Sequence, residues 1–205
     1  MTMTEADHGL SAVARRVLLE RRARDRGQWG RMRDCIHPEA SIRLSWFQGT
    51  GADFVKQSEE MAARGQQATH RLAPPVTSLS GTRAVAEVPA SIEFRDVIGG
   101  VEADLASFTR LVYRLEKTSD TWRIVALDVI YERDTLTPVM PGEVPDLDRA
   151  LLSTFRAPCR FLGYHLADHG YTIWGDLYGV DRPEPVAEFY HSLSAWVDSA
   201  ASPAR

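Results

Sequence analysis

Only two cysteines, Cys35 and Cys159, occur in the 205 residues, too few for a disulfide scaffold and suited to a pair of reduced thiols. No stretch approaches the roughly 18 uncharged apolar residues of a membrane span. The opening MTMTEADHGL puts acids where a secretory signal carries basic residues and then an apolar run. Positive charge is not in excess either. Lys and Arg number 24 against 28 Asp and Glu, a net charge of -4, which argues against nucleic acid as a partner. These absences predict a cytoplasmic protein without a membrane or nucleic-acid partner. What is present is ordinary: 44% hydrophobic and 25% charged residues, enough for a core without disulfide or metal staples. The length fits one domain, or one domain with an appendage.

The run ARRVLLERRARDRGQWGRMRD is the one local concentration of arginine. Acids and helically spaced apolar residues interrupt it, so it reads as a solvated helix face. Within it Val13, Val17, Leu18 and Leu19 form a stripe that predicts a helix ending near Asp25–Gly27. QWGRMRDCI predicts a second short helix, stopped at His37-Pro38. ASIRLSW alternates like a half-buried strand with Ile42, Leu44 and Trp46 on one face. ADFVKQSEEMAARG predicts a third helix with Gly65 as its C-cap.

The period then changes from 3.6 to 2. ATHRLAPPVTSL, RAVAEVPASIEFRDV, VEADLASFTRLVYRLEK and TWRIVALDVIYERD predict four strands. VIGG (97–100) and TSD (118–120) supply hairpin chemistry, so the last three strands form an antiparallel meander. The order α-α-β-α-β-β-β-β is an α+β pattern. TLTPVMPGEVPD, residues 135–146, predicts a linker or strap. Beyond it LDRALLSTFRAPCRFLGYHLADHG and PEPVAEFYHSLSAWVDSA read as helices, rich enough in aromatics to require a packing surface.

Three local patterns have a chemical reading and a plain one. His165 and His169 stand at i, i+4, but a third ligand with convincing spacing is missing, so no metal is expected. Cys35 reads as a buried small hydrophobe, and GTGADF, without a lysine, is not a phosphate loop. His70, in ATHRL, stands between helix-like and strand-like segments, and a neutral imidazole is the commonest proton acceptor near pH 7.

RARDRGQWGRMRDCIHPEA, ATHRLAPPVTSLSGTRAVAEV and RLVYRLEKTSDTWRIVALDVIYERD, in this order, resemble the SnoaL-like branch of the nuclear-transport-factor-2-like superfamily. That group includes polyketide cyclases, scytalone dehydratase and lindane dehydrochlorinase. The resemblance covers about residues 10–136. It implies a cone in residues 1–140, a curved mixed or antiparallel sheet wrapped around N-terminal helices, followed by a helical extension in 141–205. It also implies that Asp25, at the end of the first helix, pairs with His70 as a catalytic dyad. The carboxylate would fix the tautomer of the imidazole and stabilise the imidazolium, as a triad aspartate does. The alternative is that the pair only ties the helix to the strand. One turn before Asp25, where the dehydrochlorinase carries a cation, stands Glu20, which argues against dehydrohalogenation.

With His70 inward, strand parity puts Ala68 and Leu72 beside it. The resemblance then lines the cavity with Leu44, Trp46, Ile92, Phe94, Thr109, Leu111, Tyr113, Leu127, Val129 and Tyr131. Ala90 and Ser107 share these faces. Tyr113 and Tyr131 are candidates for holding a ligand oxygen, or else packing residues. Such a cavity suits a hydrophobic small molecule. The implied activity is a cofactor-independent lyase or isomerase, such as a dehydratase or cyclase. Two other readings remain: a ligand-binding cone without catalysis, and a small structural subunit of a ring-hydroxylating dioxygenase. The relatives' use of the outer sheet face predicts a homodimer or homotrimer. The extension is expected to close the cavity mouth or to clasp a neighbouring copy.

Overall fold

The computed structural model describes residues 5–201. The start of the acidic N-terminal stretch and the last four residues of the extension lie outside the described residues. Among the described residues no helix is long and apolar enough to cross a membrane.

Helix α1 (Glu5–Asp25) is followed by α2 (Trp29–Cys35), strand β1 (Ile36–Arg43), the short β2 (Gln48–Thr50) and α3 (Gly51–Ala63). Thr50 caps α3 by accepting from the Asp53 amide. Gly65, at φ +73, takes the left-handed position just beyond its end. Then come β3 (Thr69–Leu72), β4 (Val76–Ser80), β5 (Arg83–Ile98), β6 (Val101–Thr118) and β7 (Thr121–Pro138). The extension contains α4 (Arg149–Ser153), a turn of tight helix (Ala157–Cys159), α5 (Arg160–Asp168), β8 (Tyr178–Gly179) and α6 (Pro183–Asp198).

The eight strands form one sheet in the order β2-β1-β7-β6-β5-β3, with β4 also on β5 and β8 also on β7. The β5–β6–β7 meander is antiparallel, while β1 runs parallel to β7, so the curved sheet is mixed. This is the α+β cone expected from the resemblance. Both hairpins turn where two successive residues have positive φ: Gly99 and Gly100, then Ser119 and Asp120, the geometry of a two-residue primed turn.

Several boundaries differ from the sequence reading. ATHRLAPPVTSL is two strands, because Pro74 and Pro75 interrupt the ladder between Leu72 and Val76. Strand β1 begins at Ile36 and contains Pro38; a register shift against β7 between Ile36 and Ser41 absorbs the missing amide donor. It ends before Leu44, so Trp46 reaches inward from the turn closed by the Leu44 amide on Phe47 O (2.7 Å). The segment expected to leave the sheet at 135 stays in β7 as far as Pro138. The first tail helix is broken around Pro158, which opens the tight turn before α5.

The extension returns to the sheet on both faces. Leu162 and Leu166 of α5 are buried in the inner core, and Asp134 of β7 accepts from the Leu162 amide at 2.9 Å. Helix α6 lies on the outer face, where Phe189 and Leu193 bury Val112 of β6 and Ile130 of β7. The face expected to meet a neighbouring copy is therefore covered there by the chain's own helix.

Candidate active site

The inner stripe of α1 continues past its apolar part. Val13 and Val17 are followed on the same face by Glu20, Arg21 and Arg24, all buried. The solvated face expected for the arginine-rich run is thus corrected at these positions: the spacing that buries the valines carries three charged residues inward.

Asp25 ends α1 and grips β3 with both carboxylate oxygens. Oδ2 accepts from the His70 amide and Oδ1 lies against His70 Nδ1, each at 2.7 Å. The two side chains are 4% (His70) and 13% (Asp25) exposed. With Nδ1–H donated to the carboxylate, Nε2 keeps its lone pair. Arg21 Nη1 is 3.4 Å from that nitrogen. Arg21 is held in turn by Glu20, whose Oε2 lies 3.0 Å from its Nη2 and also accepts from Tyr113 Oη at 3.3 Å. A cation therefore does stand one turn before Asp25, supplied by Arg21 rather than by Glu20.

Burial, followed by the positive charges of Arg21 and Arg24, pushes the His70 pKa down to about 3 against the pull of Asp25. The imidazole is neutral at physiological pH. Burial alone would raise the Asp25 pKa, but the His70 hydrogen bonds and nearby charges hold it below the usual carboxylate range. Arg24 is lowered to about 10, by burial and then by Arg21. It remains a cation at neutral pH.

His70 borders an inner cavity whose walls leave about 440 Å³ unfilled, part of it continuous with solvent, with about 30 Å³ open to the centre of a water molecule. Of the residues expected to line it, Leu44, Trp46, Ile92, Phe94, Leu111, Val129 and Tyr131 do so. Thr109, Tyr113 and Leu127 are buried but lie outside this lining. Thr109 Oγ1 is turned to Ala90 O at 3.4 Å, and Tyr113 is committed to Glu20. Tyr131 Oη accepts from the Ser45 amide at 2.9 Å, and burial raises the pKa of its phenol.

Sequence reasoning missed Arg21, Arg24, Ser45 and Met61 in the lining, and Leu162 and Leu166 from α5. The signal for the arginines was the helical stripe continued one turn further. No local signal pointed to α5, because its placement depends on tertiary docking. Asp25 is not in the inner lining; it borders a second, more open depression that also touches His70 and Arg21.

A second cluster lies behind Phe94 of the lining, whose ring centroid is 4.7 Å from that of His165. Asp96 of β5 brings a carboxylate to His165 and His169, and one ligand atom from each lies within 4.8 Å of the others. His169 Nδ1 donates to His165 O at 2.8 Å, while its Nε2 is 3.3 Å from Asp96 Oδ2. The third metal-capable group, absent from the local sequence, is thus supplied by the sheet.

A sequence model of the SnoaL-like domain matches residues 11–128. Pea pathogenicity protein 2 of Fusarium vanettenii is 30% identical over 144 residues, covering 69% of this chain and 62% of that protein. The chain thus spans less than two thirds of that relative's length. A candidate scytalone dehydratase from Novosphingobium aromaticivorans has a similar structure, with a TM-score of 0.50 and 13% identity over 69% of this chain and 94% of that one. A type 2 hexachlorocyclohexane dehydrochlorinase gives 0.52 with 11% identity, over 67% of this chain and 94% of that one. At such identities the likeness establishes the fold.

Proposed function

Because the chain belongs to the SnoaL-like domain family, we propose that it is a cofactor-independent lyase or isomerase of the dehydratase and cyclase kind, acting on a hydrophobic small molecule. One observation carries the reading: a buried, neutral His70, tautomerically fixed by Asp25, borders a mostly apolar cavity. Nε2 takes a proton from a carbon of the ligand, and Asp25 stabilises the imidazolium that forms. The electron pair left on the ligand then either expels hydroxide, which takes up that proton as water, or is reprotonated at another carbon.

A second reading, a binding cone without catalysis, is favoured by the Arg21 guanidinium that covers the Nε2 lone pair at 3.4 Å. Exchange of carbon-bound hydrogen in D2O separates the two without knowledge of the product. We expect accelerated deuterium uptake, followed by NMR, into at least one of 2-tetralone, 1-indanone and phenylpyruvate. His70→Ala should lower that rate by about 10²–10⁴. No acceleration over the whole panel, or equal rates in both proteins, would leave only the binding reading.

A further inference from the structure

Arg24 is 4% exposed and lines the inner cavity. Its neighbour Arg21 has Glu20 as a counter-ion, and Asp25 is committed to His70. Among the described residues no carboxylate lies in ion-pair range of Arg24. Its guanidinium has two long contacts, Nε to Ser58 Oγ at 3.4 Å and Nη2 to Met61 Sδ at 3.6 Å, and sits 5.8 Å above the Trp46 ring centroid. Nη1 is buried with no hydrogen-bond partner. A buried guanidinium without an anion is among the most costly groups a fold can keep.

We propose that the cavity is built for an organic anion, a hydrophobic carboxylic acid whose carboxylate docks on the guanidinium of Arg24 while its carbon skeleton lies against Ile92, Phe94 and Val129. This rests on the proposed function for its consequence, but not for its geometry. Guanidinium and carboxylate form a charge-assisted pair well suited to a dry site. The same anion would act on the base. The groups facing His70 are Asp25, Arg21 and Arg24 of α1, and the cavity walls around it add Tyr131, whose hydroxyl is held by Ser45. The two arginines oppose an imidazolium, so an anion that neutralises Arg24 makes His70 a stronger base when the ligand is in place. The free site is then a weak base and the loaded site a better one.

Calorimetric titration with acetate, benzoate and phenylacetate, each against its amide, tests this. At least one acid should bind about 10–100-fold more tightly than its amide, and Arg24→Met should reduce that ratio to about one. His70→Ala should keep the preference while losing hydrogen exchange, so failure of the anion site and failure of the base are told apart. Without ligand, Arg24→Met should melt at or above the wild-type temperature, because it removes an unanswered buried charge. Amides that bind as well as the acids, absence of binding by every acid, or a preference that survives in Arg24→Met would overturn the proposal. A lower melting temperature with unchanged preference would mark Arg24 as a structural residue.

Discussion

The two faces of the β5–β6–β7 meander are made by alternate residues of the same strands, and they end in different conditions. On the outer face Val112 and Ile130 lie under Phe189 and Leu193 of α6. The charged groups there have counter-ions or donors: Arg110 lies 2.9 Å from Glu132, Arg114 lies 3.6 Å from Asp128, and Glu87 accepts from Tyr190 Oη at 2.6 Å. On the inner face, one residue along each strand, Leu111, Val129 and Tyr131 border unfilled space and a guanidinium without an anion. Strand parity thus separates a face given over to stability from one that keeps an unmet electrostatic demand.

The largest effect that could break this separation belongs to the outer face. Phe189→Ala should destabilise the fold by about 3–5 kcal/mol in denaturant titration, with the acid-to-amide binding ratio unchanged. A changed ratio would mean the faces are coupled. Leu166→Ala, in the wall of the inner cavity, should cost about 2–3 kcal/mol, the lower part of the range for leucine, because the site is only partly closed. It should also shift ligand preference toward larger skeletons, measured with the same titrations.

Acid should act through His70 on the inner face and through the buried His165 beside Phe94. His70 and His165 have folded pKa values of about 3 and about 4, below the ordinary 6.5, with burial the first cause in each. Both are neutral in the fold and take up protons more readily when unfolded. Their contribution is therefore fully present above about pH 6.5 and is lost as the pH falls toward 4 and then 3. Melting temperatures across this window should decline, and His165→Phe should flatten part of the decline. A melting temperature constant from pH 7 to 4 would show that neither imidazole is held neutral.

The outline of the cone was legible because its signals are local. Gly99-Gly100 and Ser119-Asp120 mark both hairpins, and Gly65 ends α3. Asp25 and His70 were legible as a helix end and a strand start in a familiar order. Their geometry joins them through two contacts of 2.7 Å. The rest depends on tertiary context. Arg21 and Arg24 looked solvated because charge usually is, although the stripe from Val13 and Val17 pointed through them. Pro38 and Pro158 have positional meaning only once the neighbouring strand and helix are known. The extension's aromatic residues demanded a surface, yet nothing in their spacing said that α5 would take the inner side and α6 the outer.

The smallest perturbation is also the most direct test, since it changes no residue. The inner face presents a neutral imidazole with its proton on Nδ1 and its lone pair on Nε2. ¹⁵N NMR of the His70 ring reads both nitrogens in the intact protein. At pH 7 it should find Nδ1 protonated and Nε2 bare, with titration delayed until well below pH 5. A His70 that is an imidazolium at pH 7, or that carries its proton on Nε2, would contradict the account, because no base would then face the cavity.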